Sequence, residues 1–168
     1  IKKHTGDNSV VAPQAKPFVP ISSISDDSKN IATTAIDLTQ VKVLIVEDDK
    51  FLRDLAMQKL LKEGINVIAA VDGEQGIAFA EKEIPNIILL DILLPGIDGF
   101  EVLRRIRANS ALAETSVAML SNFGQREDIE KAINAGADQF FIKANYTLDE
   151  IVAEIKKISA HPRTKSIT

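Results

Sequence analysis

Two apolar runs in this chain end in acid, and there the residue types point to chemistry. Ile87-Ile88-Leu89-Leu90 is followed by Asp91 and then by Leu94-Pro95-Gly96-Ile97-Asp98-Gly99, so a buried strand delivers one carboxylate to a tight turn. Upstream, the β-branched run Val41 to Val46 ends in Glu47-Asp48-Asp49. Two parallel strands ending this way place three or more carboxylates in one crevice. Carboxylates crowded so closely must hold a cation or shift their pKa values.

The elements that would position these acids alternate along the chain. From residue 41 onward, short β-branched runs alternate with longer segments of 3.6-residue period, the pattern of a parallel α/β fold. Strands are expected at 41–46, 65–70, 86–91, 116–121 and 138–143. Helices are expected at 50–62, 73–83, 98–108, 125–135 and 147–159. In the first helix Phe51, Leu52, Leu55, Ala56, Leu60 and Leu61 form the expected apolar stripe. Gly64 and Gly136 close helices, and Asp72-Gly73 and Pro85 punctuate the boundaries. Residues 87–90 are apolar at every position, as a central strand covered on both faces requires. In such sheets the ligand site lies beyond the carboxyl ends of the strands, where Asp48 and Asp91 fall.

The chain has 168 residues, enough for one domain with a real core and too few for two ordinary ones. Residues 1–40 hold three of the six prolines and no sustained period, and they are read as a linker or tail. The domain is expected at 41–159 and a short tail at 160–168. The chain begins at Ile1, which is read either as a fragment whose upstream domain is missing or as trimming by processing or design. No apolar stretch approaches the roughly 20 residues that a membrane span needs. The chain has no cysteine, so a disulfide framework or thiolate metal site is excluded, and no secretory h-region is apparent. A cytoplasmic location without membrane contact is the expectation. Residues 41–159 carry 14 Lys and Arg against 20 Asp and Glu, an excess of six negative charges that argues against a nucleic-acid surface on the domain.

Four features fall in order at the strand ends: Glu47-Asp48 after the first strand, Asp91 after the third, Ser121 after the fourth and Lys143 after the fifth. This arrangement resembles the receiver domain of two-component response regulators, in its simplest form the single-domain chemotaxis regulator. The resemblance covers residues 41 to about 159. It implies a flavodoxin-like, doubly wound, five-stranded parallel sheet of order 2-1-3-4-5 with five helices. Asp91 would be the phosphoacceptor, charged by a histidine kinase or histidine phosphotransfer protein, and the domain would be a signalling module rather than an enzyme. Mg²⁺ would be held by Asp48, Asp91, Glu47 and the backbone carbonyl of Leu93. Ser121 and Lys143 would contact the phosphoryl group, and Ser121 and Phe140 would form the switch. The output would be a changed face made by the fourth helix, fifth strand and fifth helix, near Arg126, Glu127, Asp128, Lys131 and Lys143. That face would control a downstream protein target, and a homodimer through it is open.

Structural readings stand beside these roles. Asp49 is read as the N-cap of the first helix, and Phe51 either as an exposed anchor for the kinase or as core. The chain departs from the family pattern in two respects. Ala144 stands where a proline usually follows the lysine, so a trans peptide is expected there. Leu93 and Phe123 are bulky and apolar where a polar side chain could orient a hydrolytic water, which predicts a long-lived aspartyl phosphate. Other readings are the C-terminal receiver of a hybrid sensor kinase or other multidomain protein, and a metal-dependent phosphohydrolase. Against the second, Asp91-Ile92-Leu93 lacks the second Asp of an Asp-x-Asp motif. A nucleotide-binding flavodoxin-like domain is disfavoured because no glycine-rich loop follows the first strand.

Overall fold

A computed structural model describes residues 36–163. Most of the expected linker and part of the expected C-terminal tail lie outside the described residues. Five strands, β1 (Lys42–Val46), β2 (Asn66–Ala70), β3 (Ile87–Asp91), β4 (Ser116–Ser121) and β5 (Gln139–Ile142), alternate with five helices. These are α1 (Lys50–Lys62), α2 (Gly73–Glu83), α3 (Gly99–Ala108), α4 (Arg126–Asn134) and α5 (Leu148–Ala160). All neighbouring strands pair in parallel, in the order β2-β1-β3-β4-β5, so the expected flavodoxin-like sheet is the observed one. Strand order reverses between β1 and β3, the two strands that end in acid.

The pleat sorts each strand between two apolar layers. Leu44, Val46, Ile88, Leu90 and Met119 face Val102, Leu103, Ile106 and Ala132 of α3 and α4. Val43, Ile45, Leu89, Leu120 and Phe141 share the other layer with Leu60, Val152 and Ile155 of α1 and α5. Every residue of β3 is buried, Asp91 included. Its carboxylate is therefore held by a strand that cannot shift without disturbing both layers.

The apolar stripe expected on α1 is corrected by the structure. Ala56, Met57 and Leu60 meet the core, whereas Phe51, Leu52, Leu55 and Leu61 are exposed, Phe51 by 72%. At 3.6 residues per turn, Phe51 and Leu55 lie opposite Ala56, Met57 and Leu60, so the two groups cannot share one buried face. The ends of α1 are as expected. Asp49 accepts from the Leu52 N–H at 2.9 Å. Past Glu63, Gly64 adopts φ of 81°, and the N–H groups of Gly64 and Ile65 donate to Leu61 and Leu60 carbonyls, a left-handed stop that glycine takes without strain.

Candidate functional site

β1 ends by presenting Glu47 and Asp48, and the Glu47 N–H is fixed to the Ala70 carbonyl of neighbouring β2 at 3.1 Å. β3 presents Asp91 beside them. Carboxylate oxygens of Glu47, Asp48 and Asp91 all lie within 4.8 Å of one another. Glu47 and Asp91 are buried and Asp48 is exposed, so the cluster has dry walls and an open mouth. Lys143, immediately after β5, reaches across to place Nζ 2.7 Å from Glu47 Oε2 and 2.7 Å from Asp91 Oδ2. The second oxygen of each acid meets backbone: Asp91 Oδ1 accepts from the Leu93 N–H at 3.1 Å, and Glu47 Oε1 from the Asp49 N–H at 3.3 Å.

Three clustered carboxylates thus have one ammonium, paired with Glu47 and Asp91, and the electrostatics follow from that shortfall. Burial pushes the Glu47 carboxyl up; the hydrogen bond from Lys143 pulls it down, but the nearby Asp91 charge adds to the rise. Burial works against the Lys143 charge, yet its hydrogen bonds to Asp91 and Glu47 outweigh this and raise its pKa above the ordinary lysine value. Excess negative charge on hard oxygen atoms is the donor chemistry that Mg²⁺ prefers, because that ion takes a few carboxylates and keeps several waters.

Ser121 closes β4 next to Asp91, but its hydroxyl is engaged elsewhere. It donates to the Phe123 carbonyl at 2.7 Å and accepts from the Phe123 N–H at 3.1 Å. Phe140 is half-buried against the α3 and α4 layer, while Phe141 packs in the opposite layer, edge-on to Tyr146 with centroids 5.0 Å apart. Every described peptide bond is trans, Lys143–Ala144 included. Residues 143–145 form a single 3-10 turn, and a capping box between Thr147 and Glu150 then starts α5. Leu93 and Phe123 are 58% and 63% exposed. A hollow of about 330 Å³, lined by Val41, Ile84, Glu114, Ile158 and Pro162, lies at the amino ends of the strands, away from the acids.

Two residues that bear on the site escaped the sequence reading. An ideal Cβ on Gly99 would sit 2.2 Å from the Asp91 carbonyl oxygen, so only glycine lets α3 start against the acid-bearing turn. Arg53 donates from Nη1 to the carbonyls of Glu47 at 2.8 Å and Asp48 at 3.1 Å. A signal for it existed: a cation early in a helix opposes the helix dipole and so needs a local reason.

The family follows from comparison with known proteins. Residues 43–156 match the response regulator receiver domain. The chain belongs to that family. It is 36% identical over 116 residues to Protein PilG of Pseudomonas aeruginosa, covering 69% of this chain and 85% of that one. It is 35% identical over 117 residues to the DNA-binding dual master transcriptional regulator RpaA of Synechocystis, covering 70% of this chain and 48% of RpaA. The chain therefore spans about half the length of that relative. Among solved structures, the signal receiver domain of a signal transduction histidine kinase from Syntrophus aciditrophicus superimposes with a TM-score of 0.66 at 26% identity, over 76% of this chain and 97% of that one. Receiver domains are signalling modules of two-component systems that interact with histidine kinases and downstream effectors, and they bind Mg²⁺ at an acidic cluster. In this receiver domain such a cluster is Glu47, Asp48 and Asp91. Among the described residues no helix is long and apolar enough to cross a membrane.

Proposed function

We propose that this receiver domain is a phosphorylation switch whose acceptor is Asp91. The observation that carries the reading is the buried Asp91 carboxylate, 2.7 Å from Lys143 and within 4.8 Å of Glu47 and Asp48, at the point where strand order reverses. An Asp91 oxygen attacks the phosphorus of a phosphohistidine on a histidine kinase or phosphotransfer protein. The new P–O bond forms as the P–N bond breaks and the imidazole leaves. Lys143, already beside the attacking carboxylate, pairs with a phosphoryl oxygen as charge moves onto it. Glu47, Asp48, Asp91 and the Leu93 carbonyl would hold Mg²⁺, which supplies neutralisation of the transferring group when bound.

The added group brings about −1.5 to −2 charge at neutral pH, which draws the Ser121 hydroxyl away from the Phe123 backbone. Its departure frees space toward which Phe140 repacks, and the face of α4, β5 and α5 changes for a downstream protein target or a second copy of the chain. The transferring protein docks over the start of α1, where Phe51 and Leu55 are exposed. Leu93 and Phe123 offer no polar side chain for a hydrolytic water, which supports a long-lived aspartyl phosphate. The segment 1–40 serves as linker or tail to a cytoplasmic receiver at 41–159. A second reading, the receiver of a hybrid kinase, is favoured by the likeness to the Syntrophus kinase receiver.

The test is intact mass after incubation with acetyl phosphate and Mg²⁺, comparing wild type with Asp91→Ala. One phosphoryl adduct that requires Mg²⁺ and vanishes in the variant is expected. An adduct that survives Asp91→Ala overturns the assignment.

A further inference from the structure

We propose that Arg53 is the positioning residue of the Mg²⁺ loop, an inference that rests on the phosphorylation reading above. Arg53 lies one turn into α1, half-buried, with its own N–H bonded to the Asp49 carbonyl at 2.9 Å. Its side chain curls back so that Nη1 takes the carbonyls of both Glu47 and Asp48, the two residues whose side chains face Asp91. It forms no ion pair with Glu47, Asp48 or Asp49.

The division of labour follows from these contacts. Three consecutive acids repel one another, and a loop that carries them splays unless its backbone is tied. The Glu47 N–H is tied to β2, the Asp49 side chain is spent as the cap of α1, and Arg53 ties the two intervening carbonyls. Both bonds come from one guanidinium nitrogen, Nη1, whose two N–H groups engage the two carbonyls at once from a rigid planar group. By spending its donors on carbonyls, Arg53 leaves the carboxylates free for a dication, whereas Lys143 neutralises them directly. The cost of a cation against the helix dipole is offset by carbonyl groups that would otherwise need water.

Charge and position predict opposite signs, which makes the proposal testable. Arg53→Gln removes a positive charge beside a dication site, so charge alone would tighten Mg²⁺. Positioning requires that Mg²⁺ bind more weakly, by about tenfold, as when groups that orient metal ligands are removed. The experiment is calorimetric titration of the full chain with magnesium chloride, without phosphodonor, for wild type, Arg53→Gln and Arg53→Lys. Amide exchange at residues 47–50 in the metal-free protein is followed alongside. Arg53→Gln should weaken Mg²⁺ and speed exchange in the loop, and Arg53→Lys, which keeps the charge but carries it on a flexible point ammonium instead of a rigid planar group, should fall between, at about a threefold loss. Labelling by acetyl phosphate should return toward the wild-type rate at saturating Mg²⁺ and drop at low Mg²⁺. Unchanged or tighter Mg²⁺ binding in Arg53→Gln overturns the proposal, as does an Arg53→Lys protein identical to wild type. A wild-type chain that binds no Mg²⁺ overturns the phosphorylation reading itself, and the inference with it.

Discussion

At the amino end of the sheet, Asp138 receives Arg107 Nη2 at 2.8 Å, the Val117 N–H at 2.8 Å and the guanidinium of Arg163. At the carboxyl end, Glu47, Asp48 and Asp91 cluster around a single ammonium, Lys143, which pairs with Glu47 and Asp91. One acid faces two cations at one end, and three acids face one ammonium at the other. Arg107 also donates to the carbonyls of Gly136 and Thr115, each at 2.8 Å, so the cluster ties three backbone segments together. The same sheet thus carries a balanced ion cluster that locks helix to strand and an unbalanced one that invites a cation. Imbalance, rather than burial of charge as such, separates the functional end from the structural end.

The comparison is broken most directly at the balanced end. Arg107→Met keeps the aliphatic stem but leaves Asp138 with fewer partners and strands two carbonyls, which should cost about 3 kcal/mol of unfolding free energy. Urea denaturation measures that loss. Labelling of Asp91 per folded molecule should be unchanged, and a variant that stays folded but labels slowly would show that the two ends are coupled. The matching change at the other end, Lys143→Met, should slow labelling by acetyl phosphate on the order of 10²-fold, the scale seen when one preorganised charge partner of a reacting group is removed. Wild-type labelling in Lys143→Met would remove the lysine from the chemistry.

A smaller effect sharpens the picture around the phosphoryl group. Leu93→Asn combined with Phe123→Glu places polar side chains at two exposed positions beside the acceptor, and the aspartyl phosphate should then decay about tenfold faster. The decay is followed by intact mass after removal of phosphodonor. A wild-type phosphate that already decays quickly, with no acceleration in the double variant, would discard the idea that these two residues protect it.

How much of this was legible beforehand depended on what each residue acts upon. Strands that end in acid, and helices that begin at Asp49 or Asp72 and end at Gly64 or Gly136, announce themselves through backbone chemistry that is local in sequence. Strand limits accordingly fell within a residue or two of those expected. Phe51, Leu52 and Leu55 misled because apolar residues surround much of α1, and residue type does not tell which of them meets the sheet. Gly99 and Arg53 act on the backbone of other segments, the Asp91 carbonyl and the Glu47 and Asp48 carbonyls, so residue type does not reveal their partners, and the cation early in α1 was the one hint of Arg53. Lys143, 96 residues from Glu47, was legible because its place after the fifth strand matches the lysine of the receiver family.

A surface triad supplies the zero point against which both ends are judged. Glu101, in the first turn of α3, accepts from Arg104 at 2.7 Å and from Arg105 at 2.8 Å. Hydrogen bonds from Arg104, then Arg105, hold its carboxyl down at about 2, below the ordinary value of 4.5. A depressed carboxylate adds stability that is fully present above the unfolded-state value and disappears as pH falls through the folded one. Glu101→Gln should therefore lower the thermal midpoint slightly at neutral pH, and the gap from wild type should close as pH drops from about 4.5 toward about 2. Because the group is solvated, added salt should shrink the gap as well. A gap that persists at low pH would mean that Glu101 acts through packing. One that rivals the Arg107→Met effect would mean that charge balance matters as much on the open surface as beneath the sheet.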